Sequence, residues 1–277
     1  MLLVLPETGS HWYLPDGTAM HDVACAGGNG TRPANLRDAR RLGLLPSVTN
    51  ILSVLARPGF DAWRQEQAVL AASSLPRRLR EDDADYAARV LSELRRENRT
   101  AADTGTRLHH AIEAYARSGS VPSDPELAAL FAPVRTWFDR QVEDVLAIET
   151  AVVHPVWGFA GRIDMAVILR STGRPTLIDF KTQKTRLSKD GSFLPVCREE
   201  WPLQLEAYRQ ALAWRNPFYS CAETASVIIG STGPVPVIEH LWDPLGAPTR
   251  FRAFLAARRL WIFTRGYCPG RTSSEPL

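Results

Sequence analysis

Asp164, Asp179 and Lys181 are the residues of this chain best suited to chemistry. They fall within residues 158–183, which read G-F-A-G-R-I-D-M-A-V-I-L-R, a turn at 171–175, then T-L-I-D-F-K-T-Q. Two apolar runs around Ser171, Thr172, Gly173 and Pro175 predict a β-hairpin with a loop of about four or five residues. Side chains alternate along a strand, so Asp179 and Lys181 share one face and Ile178 and Phe180 the other. An acid and a lysine two apart on a buried strand are costly to place in a core. A divalent cation and a phosphate would offset that cost. Asp164, the acid of the preceding run, can lie across from Asp179. Two carboxylates converging beside one lysine suit metal-assisted phosphodiester hydrolysis.

The elements that must position these groups can be read from pattern and punctuation. Residues 1–45 are turn-rich, with short strands and a hairpin expected around H-W-Y-L-P-D-G-T. The glycines at 27–30 form no phosphate loop, because no Gly-Lys-Ser/Thr follows. Ser47 can cap a short helix to Leu55 that ends before Pro58. Asp61 caps a helix to about Ser73, Pro76 breaks the chain, and 82–99 reads as a polar, exposed helix. Asp103 or Thr104 then caps a further helix through Arg117. His109 and Glu113 share one of its faces, while His110 points about 100° away.

Residues 124–145 read as a helix interrupted by Pro133, and 147–155 as the first core strand. Glu149, at that strand's start, either joins the metal site or faces solvent. Beyond the hairpin, Lys184, Arg186 and Lys189 lie in a polar loop, the one basic cluster beside the proposed chemistry. It suits phosphate contact or plain solvation. The helix at 199–215 carries Leu205, Tyr208, Ala211 and Leu212 on its apolar face. Gln204 and Tyr208, one turn apart, face the acids, or Tyr208 serves the core with its hydroxyl reaching solvent. Strands at 225–230 and 235–241, a helix at 249–264 and a frayed tail after Pro269 complete the chain.

A chain of 277 residues, 45% hydrophobic, is long enough for one large domain or a domain with an appendage. A net charge of +3 confines any nucleic-acid footprint to local patches. Arginines cluster at 37, 40 and 41, at 77, 78 and 80, and at 95, 96 and 99; singly, each cluster reads as a solvated helix face. Cys25, Cys197, Cys221 and Cys268 include no C-x-x-C pair, which argues against a zinc ribbon and gives no disulfide framework. The opening M-L-L-V-L-P is too short for a signal segment, and no apolar run is long enough to span a membrane. A cytoplasmic location is expected.

G-R-I-D followed by I-D-F-K-T-Q resembles the PD-(D/E)XK nuclease superfamily, in its RecB-type branch. That branch adds an upstream G-T-x-x-H and a downstream Q-x-x-x-Y, present here as Gly105–His109 and Gln204–Tyr208 in the same order. The resemblance covers roughly residues 101–230. A looser likeness to phage-encoded and mitochondrial genome-maintenance exonucleases reaches L-P-S-V-T-N-I-L at 45–52. It implies an α/β, restriction-endonuclease-like core over 101–268, with a central mixed sheet flanked by helices. A mostly helical, DNA-gripping region would precede it at 1–100, and a tail would follow at 269–277.

The same resemblance implies that His109, Asp164, Asp179 and the Phe180 carbonyl hold Mg²⁺ or Mn²⁺, ions suited to hard oxygen ligands. Lys181 would orient a water or offset charge on the phosphate. Gln204 and Tyr208 would position substrate or brace Lys181, with Thr182 and Lys184 as further substrate contacts. Several relatives carry an iron–sulfur cluster on four cysteines, but their C-terminal cysteine grouping is missing here, so no iron–sulfur cluster is expected. The expected activity is exonuclease action on DNA ends or single strands in recombination, repair or replication, with a recombination or replication protein as candidate partner. A structure-specific or single-strand endonuclease would share every catalytic residue. A catalytically inactive DNA-binding module would have lost an acid or the lysine, and neither is lost.

Overall fold

The computed structural model describes residues 11–25, 27–28, 30–56 and 58–270. Its first elements are β1 (Trp12–Tyr13), β2 (Asp22–Ala24), β3 (Thr31–Pro33), α1 (Leu36–Leu42), β4 (Leu45–Pro46) and α2 (Val48–Leu52). The expected early hairpin is present: Gly17 N–H bonds to Leu14 O at 2.9 Å and Tyr13 faces Ala19. A helix, α1, also lies where only turns and strands were expected. Asn35 and Asp38 start it with a reciprocal capping box, and Gly43 at φ 65° stops it. Ser47 caps α2 as expected, accepting from Asn50 N–H.

Two long helices follow, α3 (Pro58–Ser74) and α4 (Asp83–Ser118). The expected helices at 82–99 and 103–117 are one continuous helix of 36 residues, about 54 Å long at 1.5 Å per residue. No cap forms in the middle because Thr104 and Thr106 hydroxyls bond back to the carbonyls of Thr100 and Ala102. α3 begins at Pro58 rather than at Asp61, with proline at a position where its missing N–H costs nothing.

Next comes α5 (Pro125–Gln141), then strands β5 (Val142–His154), β6 (Phe159–Leu169) and β7 (Pro175–Gln183). Here the helix expected to reach residue 145 ends four residues early. Val142 is already paired with Leu169 across the sheet, so strand partnership overrides helical pattern. The predicted hairpin joins β6 to β7, with Gly173 at φ 63° in its loop. Helix α6 (Glu200–Arg215) crosses to the parallel strand β8 (Glu223–Gly230), and β9 (Ile238–Leu241) and α7 (Ala247–Arg265) close the fold.

The five-stranded sheet has the order β5-β6-β7-β8-β9, antiparallel except between β7 and β8. It is the mixed, helix-flanked sheet expected of the fold class. On one face α2, α6 and α7 form a core with Trp12, Ile51, Phe159, Leu205, Phe254 and Trp261. On the other, α4 and α5 bury Leu108, Phe131, Val167 and Phe180. Residues 271–277, most of the expected frayed tail, lie outside the described residues. No described helix is long and apolar enough to cross a membrane.

Candidate active site

The site opens where β6 and β7 part. Their pairing runs from Ile168 opposite Pro175 to Met165 opposite Ile178 and stops there. The next rung would set Asp164 against Asp179. Instead, Asp164 Oδ2 takes the Phe180 N–H at 2.8 Å in place of a ladder carbonyl. A carboxylate thus replaces a backbone acceptor at the mouth of two splayed strands.

His109 reaches this mouth from α4, with Nε2 3.1 Å from the Phe180 carbonyl and Nδ1 3.6 Å from Asp164 Oδ2. Glu149 arrives from β5 with φ at 45°, a left-handed conformation that costs a non-glycine residue about 1 kcal/mol or more. His109, Glu149 and Asp164 each offer a ligand atom, all within 4.8 Å of one another. The neighbouring His110 is 73% exposed and pairs loosely with Glu113. Glu113 itself binds Arg117 at 3.0 Å.

The donor set suits a divalent cation. One imidazole and two carboxylates supply nitrogen and hard oxygen ligands, and the Phe180 carbonyl lies beside them. With Nε2–H donated to Phe180 O, His109 Nδ1 and Asp164 Oδ2 are two acceptors facing one another. Only a proton or a cation between them relieves that opposition. Burial lowers the His109 pKa, which favours the neutral ring and leaves its Nδ1 lone pair open to a cation. Burial and the nearby Asp179 charge hold the Asp164 carboxyl well above the usual carboxylate range. A cation in the mouth would reverse that preference.

On the other side of β7, Asp179 is 4% exposed. Its Oδ2 lies 2.6 Å from Lys181 Nζ without hydrogen-bond geometry, and its Oδ1 accepts from Gln204 Nε2 at 3.3 Å. Gln204 takes Lys181 Nζ on Oε1 at 3.3 Å and directs Nε2 to the Tyr208 hydroxyl as well, also at 3.3 Å. The Trp201 ring completes the box, 5.7 Å from the ammonium. Lys181 is therefore held by an anion, an amide and an aromatic face.

The structure thus brings together His109, Asp164, Asp179, Phe180, Lys181, Gln204 and Tyr208. Thr182 packs against α4, where its hydroxyl would meet a Cβ at Gly105 at 2.9 Å. Lys184 is exposed beyond the end of β7. Of the two readings left open for Glu149, the structure favours the one beside His109 and Asp164, with φ at 45°. Two features were not readable beforehand. Trp201 reaches Lys181 only through the crossover into α6. Glycines 105 and 161 lie where Thr182 and the Tyr208 ring leave no room for a Cβ. The G of G-T-R-L-H and the second G of G-F-A-G-R-I-D were the available signals for the last.

No curated protein matches this chain. The family model of the PD-(D/E)XK nuclease superfamily matches residues 77–229, a span that includes every residue of the site.

Proposed function

This chain belongs to the PD-(D/E)XK nuclease superfamily, and we propose that it is a DNA exonuclease of the RecB-type branch, using Mg²⁺ or Mn²⁺. One observation carries the reading. The ladder between β6 and β7 opens at the rung of Asp164 and Asp179, with His109 and Glu149 on one side and Lys181 on the other. A purely structural protein has no use for a sheet split around three acids and a lysine.

His109, Glu149, Asp164 and the Phe180 carbonyl would hold the ion, with Asp179 reaching it from the adjoining rung. A divalent cation bound there polarises the scissile phosphate and lowers the pKa of a water. Asp164 would serve as a ligand in its ionised form while keeping the Phe180 N–H that fixes its angle. Lys181 turns its ammonium to the reacting phosphate and offsets charge that develops there. Gln204 limits how far Lys181 can swing, and Tyr208 fixes Gln204. Lys184, three residues past Lys181 and just beyond the end of β7, supplies a phosphate contact along the bound strand.

End-directed action rests on the resemblance to the RecB-type branch, which is rich in end-processing enzymes, and the approach to the site offers a surface for DNA. α4 carries His109 and runs on N-terminally with α3 beside it, presenting exposed Arg95 and Arg99. These residues suit a gripping surface for DNA. The test is cleavage of linear and covalently closed circular DNA of one sequence. An exonuclease degrades the linear form and leaves the closed circle intact. Comparable cleavage of the circle would make the enzyme an endonuclease.

A further inference from the structure

The segment that follows the catalytic strand was expected to be a polar loop. It is a loop closed by one antiparallel bridge into a small hairpin, with aliphatic groups on its surface among the cations. Leu187 pairs antiparallel with Phe193, Leu194 N–H bonds to Arg186 O at 2.9 Å, and Ser188 N–H bonds to Ser192 O at 2.9 Å. Gly191 at φ 83° makes the turn.

Three attachments root this hairpin beside the site. Gln183, two residues beyond Lys181, uses its side-chain amide as a substitute strand: Nε2 donates to Val196 O at 2.6 Å, and Oε1 accepts from Val196 N–H at 3.0 Å. Thr185 and Thr232 exchange hydrogen bonds on the other flank at 3.1 and 3.4 Å. Phe193 is buried with Ile228 and Trp201, the ring that faces Lys181. The hairpin is thus fixed by the packing that holds the lysine.

Its exposed side chains are unusual and occupy both faces, Leu187 on the face of its partner Phe193 and Leu194 on the opposite one with Arg186. Leu187, Leu194 and Val196 are 56%, 52% and 55% exposed. Lys184, Arg186 and Lys189 are exposed among them. Single exposed leucines are ordinary, but three large aliphatic side chains interleaved with three cations in so short a span are not. Phosphates account for the cations and leave the aliphatic groups unexplained. Bases account for those groups, provided their faces are free, because a paired and stacked base offers no apolar face. The hairpin follows β7 directly and is tied to Gln183, so nucleotides adjoining a phosphate at Lys181 come within its reach.

We infer that residues 184–198 form a base-binding finger, rooted by Gln183 and Phe193, that grips unpaired nucleotides next to the scissile phosphate and sets a preference for single-stranded or tailed DNA. The inference rests on the reading of the site as a DNA nuclease. Leu187 and Leu194 are the contacting side chains, and Gln183 is a positioning residue that acts through Val196.

The experiment separates bases from phosphates. Binding of fluorescent oligothymidine is compared with that of an equally long oligomer of abasic tetrahydrofuran nucleotides, both with Ca²⁺ and by anisotropy. The wild type should bind the base-bearing strand about tenfold more tightly, equivalent to about 1.4 kcal/mol, near the low end of what one base stacked on an aromatic ring contributes. Leu187→Ser with Leu194→Ser should bring the two affinities within about twofold. Gln183→Leu should do the same while leaving Phe193 and Trp201 packed. Leu245→Ser, at an 88% exposed leucine of another turn, should keep the full difference.

Equal wild-type affinity for the two oligomers would overturn the finger, leaving a phosphate-binding patch. So would a base preference that survives the double substitution. Light scattering checks a third outcome: a wild-type dimer that these serines dissociate, with base preference unchanged, would make the surface a protein interface and refute the proposal. Failure of the underlying nuclease reading is seen separately, as absence of Mn²⁺-dependent cleavage of linear DNA by the wild type.

Discussion

Gly161→Ala offers a sharp test of how the site is packed. Gly161 lies on β6 under α6, and a Cβ there would fall inside contact distance of Tyr208 Cε1 and 3.1 Å from Cζ. Tyr208 is 5% exposed and cannot swing outward. Overpacking of this kind costs about 1–3 kcal/mol. Against that stands a gain of about 0.4–1 kcal/mol from a less flexible unfolded chain, because the residue has no left-handed φ to maintain. The expected net loss is about 1–2 kcal/mol. Leucine at 208 lacks the atoms that collide, so in a Tyr208→Leu background the same change should be neutral or stabilising by up to about 1 kcal/mol. Tyr208→Phe keeps the ring and should keep the cost. Urea unfolding of the six proteins gives the coupling directly, with constant m-values as the check on two-state behaviour. A Gly161→Ala penalty of the same size in the leucine background would refute the packing argument. Activity should follow stability only in part, since a displaced Tyr208 also releases Gln204 from its place against Asp179 and Lys181.

Other perturbations probe different parts of the chain. His109→Ala should weaken Mn²⁺ binding in calorimetric titrations, whereas His110→Ala, at a largely exposed ring, should not; the reverse ranking would refute the metal assignment. Lys181→Ala should leave metal affinity unchanged or slightly tighter, reduce DNA affinity modestly, and slow single-turnover cleavage by roughly 10²-fold. A rate unchanged at saturating DNA would make Lys181 a phosphate anchor only. Asp38 is held at about 2 by the Arg32 guanidinium, at 2.6 and 3.0 Å, and by Asn35 N–H at 3.1 Å. A carboxyl with a lowered native pKa contributes stability that is present above its unfolded pKa and lost as pH falls through its native one. Asp38→Asn should therefore lower stability by about 1–2 kcal/mol at pH 7, and the gap should close as thermal unfolding is repeated down to about pH 2. A gap independent of pH would assign the loss to the helix cap alone.

Strand β7 was legible because two-residue alternation is a strict geometric rule. Once Ile178 and Phe180 enter the core, Asp179 and Lys181 must emerge opposite, and they do, 2.6 Å apart. The hairpin was equally legible, and its length sets the rung that joins Asp164 to Asp179. The helix bearing Gln204 and Tyr208 followed from its apolar spacing. Boundaries governed by distant partners were not legible. The early start of β5 depends on Leu169 across the sheet, and the continuity of α4 depends on threonines bonding backward rather than capping. Glu149 left both of its readings open, because local pattern cannot reveal a positive φ in a glutamate. The finger at 184–198 was hidden for a related reason: its order comes from Gln183 and Phe193 reaching non-local partners, while its composition reads as solvated loop.

The central claim is that the split between β6 and β7 is where phosphodiester hydrolysis occurs. Its most direct test is the cleavage rate of labelled linear DNA by wild type and Asp179→Asn under identical Mn²⁺, with circular dichroism and thermal unfolding confirming that both are folded. The account predicts wild-type cleavage that stops on chelation and returns with Mg²⁺ or Mn²⁺, and no cleavage above background by the folded asparagine variant. A folded Asp179→Asn protein that cleaves near the wild-type rate would contradict it.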